Sequence, residues 1–284
     1  MHIVKFQGGL GNQMFQYALY RKFQFLGYDT CADLYPYLDK REGRRTFDLP
    51  VLGIRLQEAD RRDILRLFGD VNSYADRIRL RVIGKKTYYR EKKILFDPRI
   101  LETKEGYFNG YWQSEKYFLD IRDILLREFR FPAITDNKNL EWERKIKSDR
   151  FSVSIHVRMG DYLKQPKMYG GICTEIYYKK AIDMIKAYVE HPHFYVFSNN
   201  TEAAKKLFEK EDCVFVGNNP EEKGYIDMKL MSGCRHQIIA NSSFSWWAAW
   251  LNRNEDKIVI SPSEWFGNQK VKDIWCDGWR IVGH

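Results

Sequence analysis

The hydrophobic and polar positions fall into two regimes along the chain. From residue 151 onward, short apolar runs alternate with amphipathic stretches. The alternating, β-branched run Ser152–Val157 predicts a strand. Glu175–Val189 predicts a helix, with Thr174 placed to cap it. The same rhythm continues through a strand at Phe194–Phe197, a helix at Thr201–Glu211 and a strand at Val214–Val216. It ends with helix Tyr225–Cys234, strand His236–Ala240, helix Phe244–Asn252 and strand Lys257–Ile260. Short buried strands separated by helices are the pattern of a parallel sheet covered on both faces.

The start of the chain repeats this logic once. Residues 2–6 read as a strand, Gly8-Gly9-Leu10-Gly11-Asn12-Gln13 as a tight turn, and Met14–Leu26 as a helix stopped by Gly27. Between Tyr35 and Ile134 the periodicity is weak. One helix is predicted over Asp60–Phe68, where Asp60 can cap and Ile64, Leu65, Leu67 and Phe68 form an apolar face. The basic run Arg77–Lys93 receives no element, and residues 137–149 read as a polar connecting region with some helix. The expectation is an α/β protein of two domains, 1–140 and 141–284, with the end of the chain returning to the first.

Ligands of open parallel sheets bind at the carboxyl ends of the strands. Three predicted strand ends carry polar clusters: His156-Val157-Arg158-Met159-Gly160-Asp161, Ser198-Asn199-Asn200 and Asn241-Ser242-Ser243. Alternation puts His156 and Arg158 on one side of their strand and Val157 on the other. An arginine fork suits a diphosphate, since it donates paired hydrogen bonds. Asp161 can orient Arg158, act as a base, or form a plain ion pair with it. Asn241-Ser242-Ser243 opens a helix whose N-terminus can hold phosphate or be capped by a serine. Gly8–Gln13 is either a backbone cradle for an anion or a tight turn that needs glycine. Asp227 is either a helix-start carboxylate or a partner for the paired N–H groups of guanine.

Composition narrows the field. The 284 residues are 30% charged and 44% hydrophobic, and no apolar stretch is long enough to cross a bilayer. The five cysteines are scattered with no zinc spacing, which predicts reduced thiols, and no secretory signal is visible, which predicts a cytoplasmic protein. The net charge of +9 is lopsided, with 30 basic against 22 acidic residues up to position 150 and 17 against 16 after it. Nucleic acid, an anionic membrane and a phosphorylated small molecule are the partners that such an excess permits. No Asp-x-Asp pair is present, and neither is a metalloprotease or serine-hydrolase motif.

Four ordered strings together carry a resemblance. They are Gly8–Ala18 (GGLGNQMFQYA), His156–Tyr162, Phe197–Asn200, and Asp227–Ser232 continuing into Asn241–Leu251 (NSSFSWWAAWL). The chain resembles the bacterial α-1,2-fucosyltransferase family, over nearly its whole length and more loosely over residues 35–105. The resemblance implies a GT-B architecture, two Rossmann-like domains with parallel sheets facing a central cleft. It implies GDP-β-L-fucose as co-substrate, the 2-hydroxyl of a β-galactoside in a glycan as acceptor, inversion at the anomeric carbon, and no cofactor or metal. Carried over by motif, Arg158 binds the diphosphate, His156 and Asp227 lie near the guanosine, and Ser242 and Ser243 hold phosphate. Asn12, with Gly11 and Gln13 beside it, reaches the diphosphate from the other domain, and Ser198, Asn199 and Asn241 complete the donor set. Relatives often carry aspartate where this chain has Asn199 and Asn200, and an amide cannot serve as a base. Asp161 is the first candidate base and Glu175 the second.

In that frame the basic first half suggests peripheral contact with an anionic membrane face that carries a lipid-linked glycan. Other readings are a sugar-nucleotide transferase of the same fold with another sugar or linkage, a non-catalytic glycan-binding protein using Trp112, Trp265 or Trp279, and a nucleic-acid-binding protein using Arg77–Lys93 with Tyr88 and Tyr89. The last is disfavoured, because no nucleic-acid motif is present.

Overall fold

The computed structural model describes residues 1–38, 45–69, 87–91, 94–158, 171–209, 211–217, 219–267 and 271–283. The chain divides into two compact units, Met1–Arg130 with Lys272–Ile274, and Phe131–Val271 with Trp275–His284. The division falls ahead of residue 140, because residues 137–149 are not a linker. Asn137–Ser148 is a helix capped by Asp136, whose side chain accepts from Asn139 N, and it belongs to the second unit. Glu143 on this helix pairs with Lys229 at 3.2 Å.

The first unit holds a four-stranded, all-parallel sheet of β1 (His2–Lys5), β2 (Thr30–Asp33), β3 (Tyr88–Arg90) and β4 (Gly106–Asn109), in the order β2-β1-β4-β3. Helix Leu10–Phe25 starts earlier than the sequence suggests. Gly9 is extended and serves as the cap residue, and its carbonyl accepts from Asn12 N and Gln13 N. Helix Arg61–Leu67 is capped by Asp60 as expected. The three strands β2, β3 and β4, of three or four residues each, are illegible in the hydrophobic pattern because no regular rhythm of strands and amphipathic helices frames them. Aromatic stacking holds them: Tyr89 lies on Phe108 with ring centroids 5.1 Å apart and planes 11° apart. Gly106 leaves room for this stack, since a Cβ there would sit 2.5 Å from the Tyr89 ring. His2 is buried among Phe23, Tyr28 and Phe108, and burial lowers its pKa to about 4.

The second unit holds a six-stranded parallel sheet of β5 (Ser152–Val157), β6 (His193–Ser198), β7 (Cys213–Val216), β8 (His236–Ile238), β9 (Val259–Pro262) and β10 (Arg280–Val282). The order is β10-β9-β8-β5-β6-β7. Every residue of the central β5 is buried, as the centre of a parallel sheet covered on both faces requires. Val153, Ile155 and Val157 pack with Tyr177, Ile182 and Ile185 of helix Glu175–Lys186. Trp246, Trp247 and Trp250 of helix Ser243–Leu251 are almost fully buried and pack on one another as core. The second half thus folds as its alternation predicts, with the addition of β10, a short edge strand. All five cysteines are free thiols.

Both units are α/β with all-parallel sheets, the fold class that the alternating pattern implies. Among the described residues no helix is long and apolar enough to cross a membrane.

Candidate active site

In the second sheet the chain builds outward from β5 through β6 and β7, then returns to the other side of β5 through β8, β9 and β10. The order therefore reverses between β5 and β8, and the crevice at the carboxyl ends of these two strands is the ligand position of a doubly wound sheet. β5 ends in His156-Val157 and runs into Arg158. β8 runs through Ile239 and Ala240 into Asn241-Ser242-Ser243.

His156 is 4% exposed, and its ring packs on Phe244 at 5.5 Å between centroids. Its carbonyl accepts from the Tyr178 hydroxyl at 2.9 Å, which locks the end of the strand. Arg158 follows directly and is half-buried. Across the reversal, Ser242 is the N-cap of helix Ser243–Leu251, and Ser243 is its first, half-buried residue. The Ser242 Oγ accepts from Phe244 N at 3.4 Å, so capping and an open helix end coexist here. Asn241 is 2% exposed, and its amide joins the Trp265 carbonyl at 3.2 Å and the Cys173 thiol at 3.4 Å. It braces the turn from below.

Ser198 ends β6, next to β5, and exchanges hydrogen bonds with the backbone of Asn200. Asn199 is exposed, and Asn200 caps helix Thr201–Leu207. Asp227 lies in the first turn of helix Gly224–Gly233. Burial pushes its carboxyl up to about 6, partly opposed by Asn219 Nδ2, which donates to it at 2.6 Å. Asn219 is held in turn by Asn139, and sequence reasoning misses both because they lie outside every motif. Glu175 is exposed in the first turn of its helix, behind the cap Thr174. Asp161 lies outside the described residues, as do residues 77–86 and 92–93 of the basic segment.

In the first unit, Gly8 has a φ of 84°, a conformation that only glycine adopts without strain. Gly11 and Asn12 stand in the first turn of helix Leu10–Phe25. Gln13 requires a correction. Its Nε2 donates to the carbonyls of Gly8 and Thr46, at 2.9 and 2.8 Å, while its Oε1 accepts from the backbone of Asp48 and Leu49. The side chain is fully buried and its amide is saturated, so it holds the turn and has no group left for a ligand.

An open cavity of about 660 Å³ exists at the opposite, amino edge of the second sheet, lined by Asp149, Phe151, Lys186, His193 and Tyr195. It is remote from the strand ends of that sheet that carry motifs. Among the described residues no group of three or more His, Cys, Asp or Glu could hold a metal ion.

The family model of glycosyl transferase family 11 matches residues 72–282. The chain belongs to this glycosyltransferase family. It is 34% identical to the O-antigen biosynthesis glycosyltransferase WbnK of Escherichia coli, over 96% of this chain and 97% of that one. It is 33% identical to an alpha-1,2-colitosyltransferase of Escherichia coli, over 96% of this chain and 94% of the relative. A galactoside alpha-(1,2)-fucosyltransferase 1 of Ateles belzebuth is 29% identical over 86% of this chain and 63% of its own length. The resemblance drawn from the four strings is consistent with this membership.

Proposed function

We propose that this family 11 enzyme transfers L-fucose from GDP-β-L-fucose to the 2-hydroxyl of a β-galactoside in a glycan, with inversion. The observation that supports the reading is the β5–β8 reversal, with Arg158 following β5 and the N-terminus of helix Ser243–Leu251 following β8. A leaving GDP carries growing negative charge. A guanidinium and the N–H groups of a helix end stabilise that charge without a metal or cofactor. Asp227 accepts from the N1–H and amino groups of guanine, and His156 with Phe244 flanks the nucleoside. Glu175 or Asp161 removes the proton of the acceptor hydroxyl. Attack from the face opposite the diphosphate turns a β-linked donor into an α-1,2 product. The first half, with its basic excess, approaches a lipid-linked acceptor at an anionic membrane surface. Binding to anionic liposomes at low salt tests that contact, and its absence removes it.

The second reading is a colitosyl donor, favoured by the alpha-1,2-colitosyltransferase relative. Colitose is the 3-deoxy analogue of L-fucose, so the two donors share every diphosphate and guanosine contact. A panel of GDP-fucose, GDP-colitose and GDP-mannose with lactose and N-acetyllactosamine separates them, with the linkage read by NMR. Fucosyl transfer to the galactose 2-hydroxyl in EDTA is the expected result. Transfer from GDP-colitose alone moves the assignment to the second reading, and no transfer from any GDP-sugar overturns both.

A further inference from the structure

The four strands of the first sheet end in a polar row. Lys5 closes β1, Asp33 closes β2, Arg90 closes β3 and Asn109 closes β4. Lys5 pairs with Asp33, and Arg90 pairs with Asn109. The β1–β4 register runs to Val4 opposite Phe108, which brings Lys5 level with Asn109. Across the order β2-β1-β4-β3 the row reads acid, ammonium, amide, guanidinium. It stands at the carboxyl edge, where a parallel sheet receives its ligands.

Residues level with one another in a sheet share a face, and so do residues two apart along a strand. Two positions before the row, Ile3, Cys31 and Tyr107 pack with Ile64 and Leu67 of helix Arg61–Leu67, and Tyr88 packs on Phe68. The row therefore belongs to that face. His2 and Phe108 point the other way and pack on Phe23 of helix Leu10–Phe25. Asn12 and the N-terminus of that helix, which no side chain caps, stand at the head of the opposite face. They keep the diphosphate role that the resemblance gives them.

Within the row the protein uses the acid and the amide itself. Asp33 Oδ1 accepts from Tyr35 N at 2.9 Å, and its Oδ2 accepts from the Tyr107 hydroxyl. Asn109 Nδ2 donates to the Tyr88 hydroxyl at 2.9 Å, and its Oδ1 accepts from Gln7 Nε2 at 3.4 Å. The two cations are left over. Among the described residues neither the Lys5 ammonium nor the Arg90 guanidinium makes a hydrogen bond or an ion pair within 4 Å. Lys5 is half-buried and Arg90 is exposed. Burial pulls the Lys5 ammonium below its ordinary range, Asp33 opposes this and Arg90 adds to it. Their strands lie two spacings apart, roughly 10 Å, a distance that two long side chains close around one anion. An anion there relieves both the repulsion and the cost of burying the ammonium.

We infer that Lys5 and Arg90 are specificity-determining residues: they read an anionic group, carboxylate or phosphate, carried by the acceptor glycan beside its galactose. The donor diphosphate has its groups in this unit on the opposite face, so the row falls to the other substrate. The basic excess of the first half has the matching sign. That the ligand is an acceptor rests on the transferase reading, whereas the preference for an anion rests on the row alone.

The test compares lactose with two acidic forms of it, lactobionate, which carries a carboxylate, and lactose 1-phosphate. Each is offered with GDP-fucose to the native full-length chain. The kcat/KM of at least one acidic acceptor should exceed that of lactose by about tenfold or more, as charge-assisted bonds to two cations allow. The preference should shrink in high salt. Lys5→Met and Arg90→Gln should each remove most of it, with the KM for GDP-fucose within about twofold. Arg90 is exposed, so Arg90→Gln decides the matter if Lys5→Met does not fold. A preference for lactose 1-phosphate alone supports a phosphate ligand, for lactobionate alone a carboxylate, and for both the anionic charge itself. No preference in the native chain, or one that persists in Arg90→Gln, overturns the assignment. So does a GDP-fucose KM that rises about tenfold in Arg90→Gln, since the anion is then the donor's. If the native chain transfers to none of the three, calorimetric titration of the same compounds separates the two failures. Tighter binding of an acidic disaccharide than of lactose, lost in Arg90→Gln, supports the row and defeats only the transferase reading. Equal binding, or none, overturns the row as well.

Discussion

The carboxyl edges of the two sheets are built from different chemistry. At β5–β8 the strand ends present a half-buried arginine, a serine-capped helix N-terminus and an imidazole packed on Phe244. At β1–β4 they present glutamine and asparagine amides, a left-handed tryptophan loop and a nest filled by Glu91. The first arrangement has the chemistry that suits an anion growing during a reaction. The second holds a carboxylate of its own, Glu91, on the backbone N–H groups of Tyr111 and Trp112.

The contrast is most exposed to challenge at Arg158. Arg158→Ala should lower the transfer rate by about 10²–10³, the usual effect of losing one donor to a developing oxyanion. Arg158→Lys should recover only part of it, because an ammonium lacks the paired fork. Steady-state kinetics with GDP-fucose reads both.

Asp227 gives the next effect, and its sign is informative. Its pKa is raised to about 6 in the folded chain, by burial first. A carboxyl whose pKa is raised on folding penalises the folded state fully above pH 6. The penalty shrinks as pH falls through 6 and is gone below the unfolded value. Asp227→Asn should therefore raise stability at pH 8 by as much as about 3 kcal/mol, since each tenfold change in a proton equilibrium is worth about 1.4 kcal/mol. Near pH 4 the gain should be small. The same variant should weaken GDP binding, and native GDP affinity should fall as pH drops below 6. Denaturant melts and calorimetry at the two pH values check both halves. A variant that is more stable and binds GDP normally would show that the buried carboxylate has no nucleotide role.

Gly110→Ala drives a methyl into Glu91 and should destabilise the first unit by about 1–3 kcal/mol, measured by denaturant melts. Ser242→Ala removes one cap and should cost about 1 kcal/mol, visible as a small fall in Tm. If Ser242 also holds phosphate, its loss weakens GDP binding beyond that stability effect.

The difference between the units also explains what is legible in the sequence. Strands such as Ser152–Val157 are buried on both faces and declare themselves by composition, and the helices between them carry caps such as Thr174 and Asn200. Most motifs of the second unit therefore fall at strand ends. Three strands of the first sheet stand outside any regular rhythm of strands and helices, and contacts distant in sequence hold them, such as Tyr89 on Phe108 and Tyr107 on Phe68. Glu91 is invisible for the same reason, as a lone acid at the edge of a basic run whose partners lie about twenty residues away. Gln13 misleads because an amide that both donates and accepts can serve the loop's own backbone as readily as a ligand.

The donor assignment rests most heavily on calorimetric titration of GDP into the native chain and into Arg158→Ala, both in EDTA. Metal-independent binding by the native chain is expected, with an affinity at least about a hundredfold lower in the variant. GDP binding of equal strength in both proteins, or no GDP binding by the native chain, would contradict a donor site built at the β5–β8 reversal.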